Sequence, residues 1–120
     1  MLLRNLMASD ELILKKNGEY QVNKKVSKST DDIPVQAIRS FHQSAMRLAI
    51  ASIDSLPVGQ RENATMTFAL DKNDIPWLKA EIKKFRDELS AQIVARKKKK
   101  NSIVTLTTNM FRMDIEEENE

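Results

Sequence analysis

The chain has no cysteine, one histidine, two glycines and three prolines in 120 residues, and only 5% of them are aromatic. Without cysteine there is no disulfide, no thiolate nucleophile and no sulfur-ligated zinc site. Glycine stands only at Gly18 and Gly59, so there is no glycine-rich loop to cradle a phosphate. No apolar run approaches the length of a membrane span, and no basic segment precedes an apolar one at the start. Neither an anchor nor a secretory leader is expected, and the expectation is a soluble cytoplasmic protein without membrane contact.

Charge is present in quantity and unevenly placed. Twenty lysines and arginines face 17 acids, a net charge of +3. Arg96, Lys97, Lys98, Lys99 and Lys100 form an unbroken cationic run, while Asp114, Glu116, Glu117, Glu118 and Glu120 form an acidic tail able to mask it. A block of cations this short is more often a solvated helix end than a phosphate-binding surface.

Catalytic chemistry finds little to work with. His42 stands alone, with no cysteine in the chain and no acidic neighbour in sequence. It reads as a polar residue at the edge of a helix face rather than a metal ligand or a general base. Asp31-Asp32 falls at a helix start and Glu116 to Glu118 in a tail, so neither suggests a buried carboxylate pair. Trp77, beside Pro76, reads as an aromatic at the edge of a core. The expectation is a protein that is not an enzyme and that carries no cofactor and no metal.

Periodicity divides the rest. Asp32-Ile33-Pro34 is a helix-opening device, because Asp accepts from free first-turn N–H groups and Pro lacks an N–H that would be unbonded there anyway. The helix that follows carries a stripe of Ile38, Phe41, Ala45, Ala49, Ile53 and Leu56, and Pro57 and Gly59 end it. Asp74-Ile75-Pro76 repeats the device, ahead of a second stripe of Leu78, Ile82, Phe85, Leu89 and Ile93 that predicts a helix to about Lys98. Cations near that end suit the negative pole of the helix dipole. Thr65 to Leu70 alternates small or polar with large apolar residues, and Ile103 to Met113 is rich in β-branched residues, so both predict strands. Strand, helix and strand with short connections imply a right-handed crossover joining parallel strands. The expected fold class is α+β: two amphipathic helices packed on a small sheet with a βαβ unit, plus an N-terminal helix and a wing-like β-hairpin.

The N-terminal segment is the most suggestive. Leu2, Leu3, Leu6 and Met7 form an apolar stripe at helical spacing, followed by Leu12-Ile13-Leu14, a Lys15-Lys16-Asn17-Gly18 turn and Glu19-Tyr20-Gln21-Val22. A helix followed by a two-stranded wing resembles the back half of a DNA-binding winged helix. The organisation expected is a partial winged-helix remnant over 1–25, an α+β regulatory or dimerisation domain over 26–113, and an acidic tail over 114–120. Lys15 and Lys16 at the hairpin tip, with Lys24 and Lys25 after it, are candidate phosphate contacts, alongside the Arg96 to Lys100 run.

From about Leu2 to Met113 the order of features resembles the C-terminal part of an uncharacterised family of bacterial proteins. That family is regarded as helix-turn-helix transcriptional regulators ending in a domain of unknown function. The matching stretches are Leu12-Ile13-Leu14 with Gly18 and Tyr20, and Ile33-Pro34 leading to Ala37-Ile38-Arg39-Ser40-Phe41-His42. They continue with Leu48-Ala49, Arg61-Glu62, Thr65 to Leu70, and Ile75-Pro76 with Lys79, Ile82, Phe85-Arg86 and Leu89, and close with Ile103 to Phe111. The motif residues that carry it are Arg39, Phe41, His42, Phe85, Arg86 and Phe111. Arg112 stands where the family commonly has proline. The resemblance implies longer relatives with a DNA-binding region upstream, which is absent here, as in a truncated paralogue or a chain starting at an internal methionine. It therefore implies a non-enzymatic regulatory or dimerisation module of transcription regulation, paired as a homodimer or with a partner protein through a sheet edge or the N-terminal segment. The alternatives are a nucleic-acid-binding protein, with DNA as partner, and a small-ligand sensor using Arg39, His42 and Arg86.

Overall fold

The structure, a computed structural model, describes residues 12–22 and 35–115. Strands β1 (Leu12–Leu14) and β2 (Tyr20–Val22) form an antiparallel hairpin with Leu12 opposite Val22, Ile13 opposite Gln21 and Leu14 opposite Tyr20. Two 21-residue helices follow, α1 (Val35–Ser55) and α2 (Ile75–Ala95). A 3₁₀ turn at Val58–Gln60 follows α1, and another at Lys72–Asp74 runs into α2.

Helix dominates, and the expected α+β fold with a βαβ sheet is overturned. Thr65 to Leu70 and Ile103 to Met113 belong to no strand, and the hairpin is the sheet that the described residues contain. An alternating pattern reports an extended backbone with two different sides, but a ladder needs a neighbouring strand to bond. The chain divides into two compact units, one of Met1–Thr65 with Lys98–Thr107 and one of Met66–Lys97 with Thr108–Glu120. Each expected strand is thereby cut between units, at Thr65 and at Thr107. The N-terminal helix at Leu2 to Met7 and the opening device at Asp32-Ile33-Pro34 lie outside the described residues.

In the first unit the hairpin turns on a short loop. The Gly18 N–H donates to the Lys15 carbonyl at 3.0 Å, and the Lys15 N–H donates to the Glu19 carbonyl at 2.7 Å. Gly18 has φ +83°, a left-handed conformation that only glycine adopts without steric cost. The Asn17 side chain accepts from the Glu19 N–H at 3.0 Å. A turn closed by a left-handed glycine is one of the common short hairpin connections.

The α1 helix covers its inner face only in part. Ile38, Ala45, Leu48, Ala49 and Ser52 are half-buried, while Phe41, Ile53 and Leu56 of the expected stripe are exposed. The covered face is thus rotated toward Leu48 and Ser52. Near its end Ser52 and Ser55 turn their hydroxyls back onto the carbonyls of Ala49 (2.6 Å) and Ala51 (2.9 Å), as helical serines do when their side chains compete with the backbone. Arg61 then closes the helix end, donating from Nε to the Leu56 carbonyl at 3.0 Å and from Nη1 to Asn63 Oδ1 at 2.8 Å. That satisfies a carbonyl the helix itself leaves without a partner.

In the second unit the helix starts differently from the sequence expectation. Asp74 makes no side-chain cap bond at α2; the cap is made one turn earlier, where Asp71 accepts from the Asn73 N–H at 2.8 Å. The α2 helix ends at Ala95 rather than near Lys98, with Arg96 as C-cap donating its N–H to the Gln92 and Ile93 carbonyls at 3.2 Å each. Its half-buried face is Ile75, Leu78, Ile82 and Leu89, at steps of three, four and seven. Phe85 and Ile93 stay exposed, at 56% and 51%. No helix among the described residues is long and apolar enough to cross a membrane.

Candidate functional site

Antiparallel pairing dictates where the hairpin's free edge points. Lys15 and Glu19 share a ladder bond, so the next pair, Leu14 and Tyr20, is of the non-bonded kind, whose N–H and C=O groups turn outward. The Tyr20 N–H meets the Lys100 carbonyl at 2.8 Å on that outer side. A segment eighty residues downstream is thereby bound along β2. One residue earlier, the Lys99 ammonium reaches over the turn, with Nζ at 3.3 Å from where a Cβ on Gly18 would stand.

These contacts bring together two groups of candidate residues that are far apart in sequence. Lys15 and Lys16 are exposed at the hairpin tip, and Lys98, Lys99 and Lys100 are exposed in the segment held beside it, all in the first unit. Arg96 and Lys97 fall in the second unit, so the cationic run is divided. Lys24 and Lys25 lie outside the described residues. The two segments 12–22 and 98–107 hold five lysines and one acid, Glu19, a net charge of +4.

Of the acidic tail's carboxylates, Asp114 is the one among the described residues. Asp114 accepts from Arg112 Nε at 3.1 Å and Nη2 at 3.2 Å. That two-pronged bond, then the arginine's charge, holds the Asp114 carboxyl below the ordinary carboxylate range. The remaining acids, Glu116 to Glu120, lie outside the described residues.

The family-motif residues are divided between the two units. Arg39, Phe41 and His42 belong to the first unit, and Phe85, Arg86 and Phe111 to the second. His42 is exposed, its ring edge-on to Phe41 with centroids 5.8 Å apart. Phe111 is 74% exposed. Among the described residues no three His, Asp or Glu side chains gather as metal ligands. A shallow concavity on α2 is lined by Ala80, Lys83, Lys84, Asp87 and Glu88, one face of a single helix without the enclosing apolar walls of a small-molecule site. Within it Lys83 and Asp87 pair at 2.8 Å, and that bond, then the lysine's charge, lowers the Asp87 carboxyl below its usual value.

A family model described as a domain of unknown function, DUF4423, matches residues 2–113. The chain belongs to that family. No curated protein and no solved structure matches it. The DUF4423 match takes in both units, and the Tyr20–Lys100 contact lies within the first.

Every lysine of this cluster is legible in the sequence, but as two separate patches. Ladder parity alone places the Tyr20 N–H outward. Nothing in residues 98–107 marks them as the segment that meets it, since a backbone carbonyl carries no sequence signature. Arg61 belongs to the stretches that carry the family resemblance, yet its bond to the Leu56 carbonyl leaves no mark in the periodicity.

Proposed function

We propose that this DUF4423 chain is a non-enzymatic regulatory module, related to bacterial transcriptional regulators, that works by pairing with a second copy of itself. The observation that carries the reading is that no side chain is buried among the described residues, although both helices bear apolar stripes. A 21-residue helix in water draws most of its stability from packing an apolar face rather than from intrinsic propensity. Fully burying one Leu or Ile is worth about 1.5–3 kcal/mol. Half-covered Ile38, Leu48, Leu78, Ile82 and Leu89 therefore leave much of that stabilisation unrealised within one chain.

A second copy is the occupant that needs no further complementarity. In a twofold pair a stripe meets its own equivalent, so one sequence supplies both sides. The surface proposed is the helix faces. It is not the sheet edge, because the expected two-strand parallel sheet is absent and the outer edge of β2 is met by Lys100. The N-terminal segment lies outside the described residues.

Mass action supplies the test. If folding is coupled to pairing, the thermal midpoint rises with protein concentration. A midpoint independent of concentration over a hundredfold range, about two decades, contradicts the proposal.

A further inference from the structure

We infer that the hairpin tip and the Lys98–Lys100 segment form one composite surface for the phosphodiester backbone of a nucleic-acid duplex, with Lys15, Lys16, Lys98 and Lys99 as the contacting side chains. The Tyr20 N–H to Lys100 carbonyl bond sets the segment beside the turn, and the Lys99 ammonium lies over Gly18. Lysines from residues far apart in sequence thus converge on the tip of a two-stranded ribbon. Glu19 is the one acid in either segment, and Lys15, Lys16, Lys98 and Lys99 are all exposed. Like charges held together repel, and an anionic partner relieves that repulsion.

The residue types choose among anionic partners. The turn itself, Lys15 to Glu19, is polar throughout and offers no apolar or aromatic group to enter a lipid interface. Tyr20 is the one aromatic in the two segments and is half-buried. A single-strand platform stacks successive bases on exposed aromatic rings, and that requirement is not met. Lysine is a point charge suited to phosphate, and lysines on a projecting ribbon fit the repeating phosphates of a duplex without reading its bases. This surface is independent of the helix stripes on which self-pairing rests.

Fluorescence anisotropy with a labelled duplex DNA and a duplex RNA, titrated across salt concentrations, tests the inference. Four lysine–phosphate contacts predict a slope of log K against log salt of about −3.6 on B-DNA. K15A/K16A and K98A/K99A should each reduce that slope by about 2, and the quadruple variant should leave almost no salt-dependent binding. K83A/K84A, on α2, should bind as the native chain does. All of these residues are exposed, and circular dichroism checks that each variant folds. Preference for either duplex supports a backbone surface, and the two arms identify which duplex is its source. Four results overturn the inference: no duplex binding at low salt, K98A/K99A without effect, equal loss from K83A/K84A, or tighter binding to a single strand or to vesicles of phosphatidylglycerol and phosphatidylcholine. The contrast between the tip variants and K83A/K84A holds whether the chain is single or paired, so self-pairing stands or falls separately.

Discussion

Gly18 is where the hairpin is most sensitive to a single change. Its φ of +83° puts any β-carbon into a strained conformation, whereas the Lys99 ammonium beside it is the end of a flexible chain that moves at little cost. Gly18→Ala should therefore destabilise the hairpin by about 1 kcal/mol, chiefly through backbone strain. The effect should appear in amide exchange of Tyr20 to Val22, and unchanged exchange would count against the turn. Asp71 offers a second local test. Removing its bond to the Asn73 N–H with Asp71→Ala should cost about 1 kcal/mol, whereas Asp74→Ala, at a position with no cap bond, should cost clearly less in chemical denaturation. Asp87 gives a pH signature. Its carboxyl titrates below the ordinary value of 3.8 because Lys83 hydrogen-bonds and attracts the charged form. A folded-state value below the unfolded one contributes stability above the unfolded value, and that contribution fades as pH falls through the lowered one. The pair is exposed, so the effect on stability is small. Carboxyl-detected NMR should show a midpoint below 3.8 that Lys83→Gln raises toward it.

At the scale of the elements, the hairpin and the helices were legible and the second sheet was not. The Asn17-Gly18 pair between apolar triplets is a strong local signal for a turn, and that turn forms between Leu14 and Tyr20. The three- and four-residue spacing from Ile38 and from Leu78 likewise marks helices, because it reflects the helix's own period. Thr65 to Leu70 and Ile103 to Met113 failed because strand identity is a relation between segments, and alternation describes one segment at a time. The same limit hid the candidate site. Lys15 and Lys99 were each visible, and their meeting at Gly18 was not. Exchange at the Tyr20 amide tests that meeting. In a hairpin alone this outward N–H would exchange freely, whereas bonded to the Lys100 carbonyl it should be protected about as well as its neighbour Gln21. Free exchange at Tyr20 would remove the link on which the composite surface rests.

At the scale of the molecule, the apolar side chains of the described residues have found little cover. Phe85, Trp77, Met66 and Phe111 are all more than half exposed, and large exposed apolar groups on a soluble chain mark interaction surfaces when they gather on one face. The proposed pairing of two copies would complete the cover of the half-buried stripes, Ile38 and Leu48 on α1 and Leu78, Ile82 and Leu89 on α2. The most direct measurement is the mass in solution by sedimentation equilibrium at micromolar concentrations and above, comparing the native chain with Leu48→Asp and Leu78→Asp. The native chain should sediment at twice its 13.8 kDa and at least one variant close to that mass. A native chain that sediments as a monomer throughout would contradict the account.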